Sequence, residues 1–245
     1  MTGLIIAAGK GSRMAALGPS KPLVPLLGVP LIEWVIRTAH RSGLDSFCVV
    51  TGHNGDHLGS FLEQLAWRMQ VGITVVRNEE WQRGNGLSVL KGREVVAGPF
   101  VLLMADHVFD AETLIRLQRE PLKDGEVVLA VDFGVESNDR IDSEDVTKVR
   151  VEDGMIAAIG KDLPLYNGYD TGLFLCSSAI FAAIDTSCTL SKDFTVSGAM
   201  RVLCREGRAR PFDIGNRFWM DVDNEQDLRK AEEVLDSRCR EFLRA

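Results

Sequence analysis

The stretch GLIIAAGKGSRM, residues Gly3 to Met14, decides the fold. Leu4 to Ala8 is a short apolar run of the kind a buried strand shows. It runs straight into a loop with two glycines, a lysine and an arginine. Glycine lacks a Cβ, so backbone N–H groups at Gly9, Lys10 and Gly11 can approach an anion closely. Two common phosphate fingerprints do not fit. A dinucleotide-binding GxGxxG needs glycine where Met14 stands, and no GxxxxGK[ST] string occurs. Taken by itself, the loop reads equally well as a strand-to-helix turn.

Outward from this stretch, strand-like and helix-like segments alternate. Leu31–Ala39 has helical spacing, with Pro30 suited to a first turn. Phe47–Thr51 reads as a strand, Leu58–Trp67 as a helix, Ile73–Arg77 as a strand, Leu87–Val96 as a helix and Phe100–Ala105 as a strand. Such alternation predicts βαβ units and a parallel sheet. The second half differs. Val127–Val131, Thr147–Val151 and Ile156–Ile159 read as strands, with a hairpin turn at Glu152-Asp153-Gly154. Gly172–Cys176 follows, then helices near Ala179–Ile184 and Thr195–Arg205, and a last helix capped by Asn224 and running to about Phe242. The acidic segment Glu136–Asp145 reads as an exposed, mobile loop. The expectation is one α/β domain over 1–245 with a mixed, mostly parallel central sheet flanked by helices.

Composition narrows the function. A formal net charge of −7 argues against general affinity for nucleic acid or anionic membrane. The charge is uneven: Met1 to Ile32 holds Lys10, Arg13 and Lys21 but no acid, which suits an anionic ligand. The cysteines Cys48, Cys176, Cys188, Cys204 and Cys239 are an odd set without a CxxC pair, so neither a disulfide framework nor a zinc site is expected. No signal-peptide pattern is seen, and the apolar runs fall far short of the roughly 20 residues that span a bilayer. A soluble cytoplasmic protein is expected.

Acids stand where an α/β sheet binds ligands. Asp106 ends the strand-like run Val101–Ala105, at the carboxyl edge. Asp221 and Asp223 lie in Trp219-Met220-Asp221-Val222-Asp223, two apart and hence on one side of an extended chain. Two carboxylates brought together from distant positions can hold Mg²⁺ against phosphates. The bland alternatives are helix caps and turns, and Asp110 fits that role.

The loop also has company: Ser20-Lys21-Pro22-Leu23 follows it. Together AAGKGSRM and PSKPLVPLLGVPLIEWVI resemble the signature of the sugar-nucleotide pyrophosphorylase family, nucleotidyltransferases with a GT-A-like Rossmann-type domain. The resemblance implies that Ala7, Ala8, Gly9, Lys10, Gly11, Ser12 and Arg13 wrap a nucleoside triphosphate, with Arg13 and Lys21 on its phosphates. A triphosphate carries about four negative charges, which accounts for cations and no acids here. The resemblance further implies Mg²⁺ on Asp106 and Asp223, and base and sugar recognition at Gly84, Asn85 and Gly86. Many members carry Gly-Thr-Ala at that last position, so the RGNG string departs from glucose-1-phosphate uridylyl- and thymidylyltransferases.

The strings RGNG, MADHVF, TKVRVEDGMIAAIGKDL, YDTGLFLCSSAIF and WMDVDNEQDLRKA most resemble the cytidylyltransferase domains that make CDP-inositol from CTP and myo-inositol-1-phosphate. That resemblance implies that Lys161 binds the acceptor phosphate, and that His107, Thr147, Lys148 and Asp170 lie near the acceptor. Residues 1–125 would then serve mainly the nucleotide and 126–245 mainly the acceptor. The residues expected to carry the chemistry are Arg13, Lys21, Asp106 and Lys161. Lys148 also has a structural alternative, an edge charge paired with Glu144 or Asp145. Other acceptors stay open: phosphocholine, an alkylphosphonate, or a sugar-1-phosphate with another NTP. Related domains are often fused to a membrane CDP-alcohol transferase, which implies a separate such enzyme downstream. A homodimer is left open. A GT-A glycosyltransferase shares the acid pair but lacks the loop-plus-Lys21-Pro22 motif, and a regulatory nucleotide-binding module needs no metal acids.

Overall fold

Successive side chains of a strand point to opposite faces, and this alternation divides the apolar residues into two cores. In β1 (Thr2–Ala7), Ile5 and Ala7 face one core while Leu4 and Ile6 face the other. The computed structural model describes residues 1–136, 138 and 140–236. After β1 a small hairpin, β2 (Pro25–Leu26) and β3 (Val29–Pro30), leads into α1 (Leu31–Arg41). Then come β4 (Ser46–Thr51), α2 (Gly55–Met69), β5 (Gly72–Arg77), α3 (Asn85–Lys91) and β6 (Phe100–Met104). Next are β7 (His107–Phe109), α4 (Ala111–Leu117), β8 (Val127–Asp132), β9 (Lys148–Glu152), β10 (Met155–Gly160) and β11 (Gly168–Cys176). The chain closes with α5 (Ala179–Leu190), α6 (Val196–Arg205), β12 (Ala209–Asp213), β13 (Trp219–Asp221) and α7 (Glu225–Asp236).

The sheet is mixed. β5, β4, β1 and β6 lie side by side and parallel, the product of the early βαβ units. β11 runs antiparallel to β6 and carries β8 on its other side, with β12 parallel beyond it. The β9–β10 hairpin joins the start of β11. Residues of α1, α2, α4 and α7 pack in one core, and those of α3, α5 and α6 in the other. Each fully buried Leu or Ile contributes about 1.5–3 kcal/mol, so the alternation itself fixes which face each helix covers.

Several elements differ from the sequence pattern. The helix expected over Leu87–Val96 is α3 followed by a 3-10 turn, Gly92–Glu94. A Cβ on Gly92 would stand 2.5 Å from Leu4 Cδ1, so only glycine lets this turn press on β1. β11 begins four residues earlier than Gly172 and bends at that glycine (φ +74), where its register to β8 shifts. The acidic 136–145 segment is not simply exposed, since Ile141 and the neighbouring Val146 are buried. The Glu152-Asp153-Gly154 turn has positive φ at Asp153 and Gly154, as a tight hairpin needs. Asp110 caps α4 by accepting from Glu112 N at 3.0 Å, and Asn224 caps α7 by accepting from Gln226 N and Asp227 N. The expected continuation of α7 to Phe242, and Cys239, lie outside the described residues. Cys48 and Cys176 are buried free thiols, and Cys188 and Cys204 are half-buried free thiols.

Candidate functional site

The loop after β1 is shaped by one left-handed residue and one anchor. Gly11 (φ +62) precedes a 3-10 turn, Ser12–Met14, closed by Met14 N donating to Gly11 O at 2.9 Å. Met14 is buried in the core. Where a dinucleotide fingerprint has its third glycine, this chain places a hydrophobic peg. A second 3-10 turn, Lys21–Leu23, uses the fixed φ of Pro22 and aims Lys21 back beneath the loop. A Cβ on Gly11 would lie 2.3 Å from Lys21 Cβ. Gly11→Ala therefore meets left-handed strain of about 1–2 kcal/mol as well as this clash. It is expected to lower the unfolding temperature, measured by thermal unfolding.

The distant acids meet through a two-stranded ribbon. β7 pairs antiparallel with β13, His107 opposite Asp221 and Phe109 opposite Trp219. Just outside it, Val222 N donates to Asp106 O at 2.9 Å. Since β6 lies beside β1 and Ala105 N donates to Ile6 O, Asp106 arrives next to the glycine loop. Lys21 Nζ donates to Asp106 Oδ2 at 2.5 Å and to Asp223 Oδ1. Arg13 Nη2 donates to Asp223, and Nη1 to Asp145, whose other oxygen accepts from Lys161. His107 Nδ1 is 2.8 Å from Asp106 Oδ1.

These contacts set the charge states. Burial by itself would lower the Lys21 pKa, but Asp106 and Asp223 outweigh it and keep the ammonium above its usual range. Burial likewise pushes Asp106 up, yet Lys21 and His107 hold it far below the ordinary carboxylate range. His107 is raised: burial opposes its charge, and Asp106, Asp221 and Asp223 favour it more strongly. Lys161 and Arg13 hold Asp145 low. Asp221 is raised by burial and by the neighbouring acids, against the pull of His107.

Asp170 is pushed up to about 6 by burial, which the Gly172 N–H bond only partly offsets. The folded protein thus holds this proton more tightly than the unfolded chain, whose Asp pKa is about 3.9. The ionised carboxylate costs stability fully above pH about 6, and that cost fades as pH falls through about 6 and is gone below about 4. Asp170→Asn is expected to raise unfolding stability at pH 7.5 by about 1–3 kcal/mol and to give no gain at pH 4. Urea titrations at the two pH values check this.

Two cavities meet at the acid pair. One, of about 320 Å³, is lined by Ala7, Gly9, Gly11, Ser12, Arg13 and Lys21. The other, of about 240 Å³, is lined by Asn85, His107, Thr147, Lys161, Asp170 and Asp221, among others. Asp106 and Asp223 line both. Lys10 is exposed and lines neither. Ala8 uses its carbonyl to accept from His53 N at 3.0 Å. Lys148 lines neither cavity; its ammonium stands over the Tyr166 ring at 5.4 Å, and Asp145 pairs with Arg13 and Lys161 instead.

Gly84, Asn85 and Gly86, expected to recognise base and sugar, lie against the start of α6. Gly86 N donates to Phe194 O at 2.9 Å, and Asn85 Oδ1 accepts from Val196 N at 2.9 Å. A Cβ on Gly84 would be 2.4 Å from Phe194 O. The string clasps the start of α6, and Asn85 reaches the second cavity rather than the first. Asp145 lines the second cavity too, a residue its loop sequence does not single out.

Asp106 Oδ2 and Asp223 Oδ1 converge on a single cationic atom, Lys21 Nζ. Two hard carboxylate oxygens aimed at one point fit a small divalent cation, whose remaining positions suit phosphate oxygens and water.

The MobA-like NTP transferase domain family matches residues 3–184. A "Bifunctional IPC transferase and DIPP synthase" from Rubrobacter xylanophilus is 33% identical over 94% of this chain and 51% of its own length. One of the same name from Archaeoglobus fulgidus is 30% identical over 96% of this chain and 44% of its own. The chain thus spans about half the length of these curated relatives. Among solved structures, an inositol-1-phosphate CTP transferase from T. maritima superposes with TM-score 0.82 at 23% identity, covering 96% of both chains. A UDP-glucose pyrophosphorylase complexed with UDP-glucose gives TM-score 0.75 at 18% identity, over 97% of this chain and 98% of that one. At these identities the likeness is one of fold.

Proposed function

The chain belongs to the MobA-like NTP transferase family, and we propose that it transfers CMP from CTP to a phosphorylated polyol, myo-inositol-1-phosphate, releasing pyrophosphate. The observation that carries this is the pair of cavities sharing Asp106 and Asp223, one walled by the glycine loop with Arg13 and Lys21, the other by Lys161, Thr147 and Asp170. The names of the relatives, with IPC transferase in each, support the choice of acceptor.

The chain's residues divide the work. Backbone N–H groups of Gly9, Lys10 and Gly11 cradle the triphosphate. Lys161 draws the acceptor phosphate so that one of its oxygens faces the α-phosphorus of CTP. That oxygen is already ionised, so no general base is required. A P–O bond forms between it and the α-phosphorus as the α–β bridging bond breaks, and the electron pair leaves with pyrophosphate. Arg13 and Lys21 stabilise that departing charge. Mg²⁺ held by Asp106 and Asp223 would neutralise phosphate oxygens at the reacting centre. Positioning and charge neutralisation supply most of the rate. Thr147 and Asp170 offer hydroxyl and carboxylate partners to the ring hydroxyls. A quaternary ammonium favours an aromatic cage, and among the described residues Phe174 is the aromatic one lining this cavity apart from His107. A CDP-alcohol product is the substrate class of a CDP-alcohol transferase, a separate enzyme if this chain acts alone. Among the described residues, no helix is long and apolar enough to cross a membrane.

The acceptor is tested by pyrophosphate release with CTP, Mg²⁺ and, in turn, myo-inositol-1-phosphate, phosphocholine, 2-aminoethylphosphonate and glucose-1-phosphate. Inositol phosphate is expected to lead phosphocholine and 2-aminoethylphosphonate in kcat/KM by about tenfold or more, because neither of those carries the ring hydroxyls. A lead for phosphocholine would move the acceptor to a cationic alcohol.

A further inference from the structure

Charged contacts run unbroken across the site. Lys161 bonds one oxygen of Asp145 and Arg13 bonds the other. Arg13 continues to Asp223, Asp223 to Lys21, Lys21 to Asp106, and Asp106 to His107. Among the described residues, Asp145 is the carboxylate that joins the nucleotide-side cation Arg13 to the acceptor-side cation Lys161. Its backbone is fixed. Asp145 N and Val146 N both donate to Asp142 O, at 3.1 and 3.0 Å, and the Val146 side chain is buried. The carboxylate is therefore presented to both cations by a held turn.

Resting on the function proposed above, we infer that Asp145 couples the two substrate sites, so that the acceptor phosphate gains Lys161 most readily after a nucleoside triphosphate has taken Arg13. Half-exposed ion pairs are weak, and a triphosphate bonds a guanidinium more strongly than a single carboxylate does. Once Arg13 turns to the triphosphate, Asp145 loses one of its two anchors. It also faces new negative charge from the phosphates. An acceptor phosphate then competes for Lys161 against a carboxylate held once and repelled, instead of one held twice. By linkage the effect is reciprocal: bound acceptor phosphate improves nucleotide affinity by the same factor.

The test is calorimetric titration of myo-inositol-1-phosphate into the protein with Mg²⁺, with and without an α,β-methylene analogue of CTP that cannot react. The unmodified protein should bind the acceptor about 5- to 50-fold more tightly when the analogue is present. In Asp145→Asn, of the same shape and without the charge, the affinity without analogue should rise and the ratio fall to within about twofold of unity. Asp145→Glu should restore much of the ratio. A purely structural role would weaken both affinities together and leave the ratio intact. An unmodified protein with a ratio near one, or an Asp145→Asn protein that keeps the full ratio, overturns the coupling while leaving the acceptor reading in place. Failure of inositol phosphate to bind either protein with analogue present overturns the acceptor reading and the coupling with it.

Discussion

Lys21→Ala is expected to lower turnover by about 100- to 1000-fold, the range for losing one preorganised charge at a transition state. The same change also acts on the fold. Lys21 is nearly buried and carries the charge that Asp106 and Asp223 share. Removing one partner of a buried pair costs about 3–5 kcal/mol. The two carboxylates keep side-chain exposures of 28% and 23%, so water brings that cost toward about 2 kcal/mol. Unfolding in EDTA should show this loss. Added Mg²⁺ should recover more of it in the variant than in the unmodified protein, because the ammonium no longer competes for the same two oxygens. A variant with ordinary turnover would mean that Lys21 is a structural cation and that the phosphates lie elsewhere.

Asp223→Asn should be nearly as damaging, with a fall of about 100-fold or more in kcat/KM at fixed Mg²⁺. The amide keeps the shape but removes the charge that Lys21 and Arg13 both use. Asp106→Asn should match it. Groups that act as a unit are not additive, so the double variant should be only slightly worse than either single one. Steady-state rates for the three proteins decide the matter. Losses that multiply would show that the two acids work separately, and a common cation would then be the wrong account of them.

How much of this was legible in the sequence depends on whether the signal is local. The glycine loop, Lys21-Pro22 and the strand-end Asp106 are short contiguous patterns, and all three came together in space. The alternating apolar runs that gave β1, β4 and β6 likewise depend on neighbours along the chain. The β7–β13 ribbon was not legible, because three-residue strands leave no periodicity, yet it delivers Asp223 to Asp106. The early part of β11 was hidden for another reason. Gly168 to Thr171 carries Tyr and Asp in a turn-like context, and the bend at Gly172 breaks the alternation. Asp145 looked like one more solvated acid in a polar loop, since its partners Arg13 and Lys161 lie far away in sequence. The RGNG string marked an important place, but its glycines answer to the Phe194 carbonyl, a long-range contact that no local pattern encodes.

Following the label of α-³²P-CTP and γ-³²P-CTP in parallel reactions with Mg²⁺ and myo-inositol-1-phosphate tests nucleotidyl transfer most directly. The α-label should appear in a CDP-alcohol and the γ-label in pyrophosphate, in equal amounts and only when acceptor is present. Transfer of the γ-label to the acceptor, or its release as inorganic phosphate, would contradict attack at the α-phosphorus and the roles given to Arg13, Lys21 and the acid pair.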